Sequence, residues 1–66
     1  MEYATLDGYI VSIVTERAIA VRKQADVSAD VQWIPKSQVQ DGSEIVKHDT
    51  DIAVAKWFAD KEGLDY

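Results

Sequence analysis

The first strong pattern in the chain lies at residues 9–15, where hydrophobic residues would occupy both faces of a strand. This run reads Tyr-Ile-Val-Ser-Ile-Val-Thr and is rich in the β-branched and aromatic residues that favour strands. Because neither face is polar, we predict a central strand. Its faces would be Tyr9, Val11 and Ile13 on one side, and Ile10, Ser12 and Val14 on the other.

Residues 18–23 alternate more cleanly. Ile19 and Val21 fall on one side, and Ala20 and Arg22 on the other, as expected for a strand with one side in water. The connection Thr15-Glu16-Arg17 is short enough for an antiparallel hairpin with the preceding strand, although it lacks the Asn-Gly or Asp-Gly pair that would define the turn type.

The stretch Val31 to Val39 contains the one proline of the chain. Alternation there predicts that Val31 and Trp33 face the core while Gln32 and Ile34 point away. The strand should end at Pro35, which has no amide hydrogen for a ladder. We expect a tight turn or a single 3₁₀ turn to follow, over residues 36–39.

The last third of the chain begins with a turn at Asp41-Gly42-Ser43, followed by a predicted short strand over 44–47. Residues 51–54 fit either a fifth strand or the start of a helix over 51–62, and we prefer a strand followed by a helix over 55–62. Gly63 stands where a left-handed helix cap belongs.

Together these elements predict one α+β domain, mostly β, over residues 1–66. We expect a small antiparallel sheet or a partly open barrel of four to five strands, like a Src-homology-3 or OB-fold domain, with one C-terminal helix. Residues 1–8 show little pattern beyond a turn at Leu6-Asp7-Gly8. A chain of 66 residues buries only about 60% of its unfolded surface, so its stability should be modest.

Charge and composition narrow the function. The net charge is −5, from 12 acids and 7 bases, which repels nucleic acid and favours a basic protein partner. The absence of cysteine excludes disulfide bonds and four-cysteine zinc sites and favours a reducing compartment. No signal-peptide pattern or membrane span is evident, so we expect a cytoplasmic protein.

The sequence contains few residues that could act in catalysis. The chain has one histidine, no cysteine, and no serine in a Gly-x-Ser-x-Gly turn, so no nucleophile has an evident base. His48-Asp49-Thr50-Asp51 matches no calcium or zinc spacing. We therefore expect neither an enzyme nor a metal or cofactor site.

Acidic residues beside the loops are the candidate surface for a basic partner. Trp57 would lie on the helix, out of phase with the Val54 and Phe58 face, and is a candidate exposed anchor or homodimer contact. The predicted partner-binding residues are Asp26, Asp30, Asp41, Glu44, Asp49, Asp51, Lys36 and Trp57.

Nucleic-acid binding is the alternative, through a basic stripe beside an aromatic residue on one sheet face. We consider it less favoured, because the phase of Trp33 predicts burial. The residues of this stripe would be Arg17, Arg22, Lys23 and Lys36.

Two segments carry a resemblance to known proteins. Trp33-Ile34-Pro35-Lys36-Ser37 and Trp57-Phe58-Ala59 resemble motifs of short uncharacterised bacteriophage and prophage proteins, which place a Trp-Ile-Pro-Lys-Ser-type motif after a strand. The resemblance covers about half of the chain and implies a phage or mobile-element origin. Small acidic phage proteins often block a host protein, so it implies an inhibitor acting in the host cytoplasm on a nucleic-acid-handling protein, such as a CRISPR effector subunit.

Overall fold

The computed structural model describes residues 2–25 and 30–66. The strands within them pair into two antiparallel sheets, which are not closed into a barrel. This confirms the predicted mostly-β α+β class with one C-terminal helix, in its open-sheet form. The elements are β1 (Tyr3–Thr5), β2 (Tyr9–Val14), β3 (Ala18–Lys23), β4 (Gln32–Pro35), β5 (Ala53–Ala55) and α1 (Lys56–Glu62), with 3₁₀ turns at Lys36–Gln38 and Gly42–Glu44.

The larger sheet has the order β2, β3, β4, so the central strand is β3 and the prediction of β2 as central was wrong. A connection of three residues, 15–17, joins β2 to β3. The Thr15 amide donates to the Ala18 carbonyl at 2.9 Å, and the Thr15 hydroxyl donates to the same oxygen at 2.9 Å. The free edge of β2 is covered instead by a loop, since the Val11 amide donates to the Asp49 carbonyl at 2.9 Å.

The phase of β4 is the reverse of the prediction. Ile34 pairs with Ile19, and both are fully buried. Trp33 pairs with Ala20 on the opposite face and is 48% exposed. Since a one-residue change of register moves every side chain to the other face, the pairing with β3 decides which residue enters the core. Burial of Trp33 was therefore a wrong prediction.

A bulge in β2 also changes one predicted face. Val11 pairs with Val21, but Ile13 pairs with Ala20, so two steps along β2 match one step along β3. The extra residue, Ser12, turns Ile13 onto the face of Ala20, where it is 42% exposed. The outer face of this sheet thus carries Ile10, Ile13, Ala18, Ala20, Arg22, Trp33 and Pro35.

The smaller sheet joins the two ends of the chain. β1 lies antiparallel to β5, with Ala4 opposite Val54, although residues 1–8 had shown no strand pattern.

The predicted strand over 44–47 is not formed. The Val46 amide donates to the Asp49 carboxylate at 2.9 Å, and the Asp49 amide donates to the Val46 carbonyl at 3.2 Å. These two hydrogen bonds close a local turn. They use the backbone amide and carbonyl of Val46, which in a strand would pair with a neighbouring strand.

The helix closes the core as predicted. Phe58 and Ala59 are buried, and Leu64 folds back to donate its amide to the Ala59 carbonyl at 2.9 Å. Gly63 ends the helix with a φ of 68°, a left-handed conformation that glycine adopts without steric cost. Strand β5, at Ala53–Ala55, leads directly into this helix, in agreement with the preferred strand-then-helix interpretation.

Candidate protein-binding surface

Trp57 is the most prominent side chain on the exposed side of the helix. Its neighbour Phe58 turns into the core, and a step of one residue rotates about 100° around a helix, so Trp57 points outward and is 51% exposed. The two rings meet edge to face, with centroids 5.8 Å apart. This contact with a buried ring restrains the indole while leaving much of its surface open.

An open depression of about 410 Å³ lies beside this indole, lined by Glu2, Lys56, Trp57 and Asp60. We call it the Trp57 cleft. The Lys56 amide donates to the Glu2 carbonyl at 2.9 Å, which continues the β1 and β5 pairing by one residue and brings Glu2 to the first turn of the helix. Asp60 follows Trp57 by three residues and so shares its side of the helix.

The C-terminal residue, Tyr66, orients one carboxylate of the Trp57 cleft. Its hydroxyl donates a hydrogen bond to Oδ1 of Asp60. This bond raises the pKa of Tyr66, and partial desolvation and the negative charges of Asp60 and Glu2 raise it further. Glu2 and Asp60 therefore both lie close enough to the Tyr66 phenol for their negative charges to act on it.

Contacts just before Tyr66 hold the tail on the body of the domain. The Asp65 carboxylate pairs with the Lys23 ammonium at 2.6 Å, and the Asp65 carbonyl accepts from the Asp7 amide at 3.0 Å. The Lys23 ammonium also lies 5.8 Å from the centroid of the Tyr9 ring. Its pKa is raised, chiefly by the hydrogen bond and charge of Asp65.

The predicted loop acids occupy separate places. Asp41, in a left-handed conformation, and Glu44 border the second 3₁₀ turn, and this turn packs on Lys36: a Cβ at Gly42 would lie 2.6 Å from the Lys36 carbonyl oxygen. Asp30 and Asp51 are exposed. Asp49 is half-buried as a residue, and its carboxylate accepts from the Val46 amide. Asp26 lies outside the described residues, and partner binding by these acids stays a prediction.

The predicted basic stripe is divided between the two ends of β3. Arg17 and Lys36 are joined by a backbone hydrogen bond of 2.8 Å at one end, and Arg22 and Lys23 lie at the other. At about 3.3 Å per residue, the two ends are roughly 20 Å apart. Lys23 is already paired with Asp65. Trp33 lies between the ends on the outer face.

Sequence reasoning pointed to Trp57 but missed the acids beside it. The spacing of Trp57 and Asp60 on a helix could have indicated one of them. Glu2 had no such signal, because β1, the strand that positions it, was itself not predicted.

Within residues 2–25 and 30–66, no group of three or more acidic or histidine side chains is arranged to hold a metal ion. No helix in those ranges combines the length and the hydropathy needed to cross a membrane. Comparison with protein families, with curated proteins and with solved structures found no match to this chain.

Proposed function

We propose that this chain is a non-enzymatic binding protein whose acidic surface captures a basic protein partner. The observation that carries this proposal is the Trp57 cleft, in which a half-exposed indole stands beside the carboxylates of Glu2 and Asp60. Tryptophan is enriched among the residues that dominate interface energies, especially when its ring is restrained and enters a pocket of the partner.

Charge supports the same kind of partner. A net charge of −5 on 66 residues attracts a basic protein over several ångströms and speeds the encounter, while a buried aromatic contact slows dissociation. Removal of an anchoring tryptophan typically costs about 2 kcal/mol or more of binding free energy, or roughly 30-fold in affinity.

A more specific form of the proposal is a phage-encoded inhibitor of a host nucleic-acid-handling protein, such as a CRISPR effector subunit, acting in the host cytoplasm. It is supported by the resemblance of the Trp33–Ser37 and Trp57–Ala59 segments to phage proteins and by the acidic charge, which resembles that of the nucleic acid such proteins bind. A homodimer with Trp57 at its interface is the alternative use of the same indole.

The test is affinity capture from nuclease-treated lysate, with the chain and its Trp57→Ala variant immobilised side by side. We expect the chain to retain a basic protein that is released at high salt and is not retained by the variant. Retention of no basic protein, or equal retention by both, would contradict the proposal. Light scattering at high concentration tests the homodimer alternative, which predicts twice the monomer mass.

A second candidate, a nucleic-acid accessory module, is favoured by the exposure of Trp33 on the outer face, which also carries Arg22. Exposed aromatic residues on sheet faces stack with unpaired bases, each worth about 1–3 kcal/mol. This candidate predicts single-stranded oligonucleotide binding that weakens steeply with salt and requires Trp33. Absence of binding at about 50 mM salt, where phosphate contacts are strong, would eliminate it.

A further inference from the structure

The Trp57 cleft combines the three features that recognise a guanidinium group. It has an aromatic face, acidic residues from two separate segments of the chain, Glu2 and Asp60, and an open volume of about 410 Å³. From these we infer that the Trp57 cleft binds an arginine side chain of the partner, with the guanidinium stacked on the indole and hydrogen-bonded to Asp60. This inference rests on the proposed capture of a basic protein and names the group that is captured.

Trp57 supplies the aromatic face of the cleft. Its edge-to-face contact with Phe58, at an interplanar angle of 85°, restrains the indole, and about half of its surface stays in contact with solvent. Tryptophan provides the strongest cation–π partner among the aromatic residues, and arginine occupies such positions more often than lysine. A planar guanidinium can also stack on the ring, which an ammonium cannot.

Asp60 supplies a carboxylate on the same side of the helix as Trp57. Its Oδ1 accepts the Tyr66 hydroxyl, which holds the group in one orientation, while Oδ2 accepts no hydrogen bond from the residues that the structure describes. One acceptor is thus positioned and still available. Glu2 adds a second negative charge from the β1 side of the cleft. Together they outweigh the single charge of Lys56 by two to one.

Lys56 supplies an internal control because it lines the same cleft with the opposite charge. Its ammonium is in no ion pair within the described part of the chain, so it repels an incoming cation. Replacement by a neutral side chain of similar length should therefore tighten arginine binding. A lysine-to-glutamine change elsewhere on this acidic surface would act only through weak, screened charge.

The experiment is a nuclear magnetic resonance titration of the two indole N–H signals with a capped Gly-Arg-Gly peptide, at about 50 mM salt to limit screening. Trp33 serves as the matched reference, since it is 48% exposed against 51% for Trp57. We expect the Trp57 signal to move saturably and the Trp33 signal to stay in place. A peptide with citrulline, the uncharged analogue of arginine, should move neither.

Variants make the result specific. Asp60→Asn should weaken arginine binding by about three- to tenfold, as expected for a partly exposed charged hydrogen bond. Glu16→Gln removes an exposed carboxylate from the connection between β2 and β3, does not line the Trp57 cleft, and should leave binding unchanged. Lys56→Gln should tighten it. The inference is overturned by an unmoved Trp57 signal, by an equal response to citrulline, by equal effects of Asp60→Asn and Glu16→Gln, or by weaker binding in Lys56→Gln.

This outcome can be separated from that of the proposed function. If lysate capture retains a basic protein through Trp57 while the arginine peptide leaves the Trp57 signal unmoved, protein binding stands and the arginine site fails. If the peptide binds at Trp57 and lysate capture retains nothing, the arginine site stands and the proposed function fails.

Discussion

The phase of β4 can be tested by placing the same charged residue at two adjacent positions. Ile34 is fully buried opposite Ile19, whereas Trp33 lies on the outer face and is about half exposed. We predict that Ile34→Lys unfolds the domain and that Trp33→Lys leaves it folded. The opposite phase, with Trp33 in the core, predicts the reverse pair of results.

The magnitudes separate the two variants. A domain of this length is stable by roughly 3–10 kcal/mol. Loss of a buried isoleucine side chain costs about 2–5 kcal/mol, and an unpaired ammonium in the core adds several kcal/mol more. The total cost of Ile34→Lys is therefore as large as the whole stability of the domain. Trp33→Lys gives up about half of the burial of an indole, roughly 2–3 kcal/mol, and the lysine methylenes recover part of it.

The assay is far-ultraviolet circular dichroism with urea denaturation of both variants beside the unchanged chain. We expect a cooperative transition for Trp33→Lys at a lower urea midpoint, and no transition for Ile34→Lys. A folded Ile34→Lys variant together with an unfolded Trp33→Lys variant would refute the pairing of Ile19 with Ile34.

Two further predictions concern local packing and ionisation. Gly42→Ala should lower the urea midpoint clearly more than Ser43→Ala, because the new methyl group would lie 2.6 Å from the Lys36 carbonyl oxygen; equal midpoints would contradict the close packing of the two 3₁₀ turns. The pKa of Tyr66 is raised by Asp60, so ultraviolet titration near 295 nm should show its phenol ionising above the ordinary value of about 10, and Asp60→Asn should lower that pKa. The stabilisation from this bond is fully present below the pKa of Tyr66 in the unfolded chain and is lost as pH rises through its pKa in the folded chain. A Tyr66 pKa unchanged by Asp60→Asn would contradict the hydrogen bond.

Strong local patterns were sufficient to predict the hairpin and the helix. The alternation in Ala18–Lys23 predicts a strand and the glycine after Glu62 predicts a helix end, and both are confirmed. The prediction that one side of this strand lies in water was wrong at Ala20, which is fully buried. Strand β1 was not predictable in this way, because Tyr3–Thr5 spans only three residues and owes its extended form to pairing with β5. Short strands of this kind depend on a partner that is distant in sequence.

The faces of β4 show a different limit. Trp33 and Ile34 are adjacent and both apolar, so alternation allows either to enter the core, and only pairing with β3 selects Ile34. The candidate site depends on the same long-range contacts. Trp57 follows from helix phase, but Glu2 reaches it only because the start of β1 lies beside the end of β5.

The most direct test of the central claim compares two tryptophan variants of nearly equal exposure, Trp57→Ala and Trp33→Ala. The measurement is the calorimetric Kd for the basic protein obtained by affinity capture, with folding of each variant verified by circular dichroism. We predict that Trp57→Ala weakens binding by roughly 30-fold, the loss typical of an anchoring tryptophan, and that Trp33→Ala leaves Kd within about twofold, as expected for a residue outside the interface. An unchanged Kd for Trp57→Ala, or a larger loss for Trp33→Ala, would contradict binding at the Trp57 cleft.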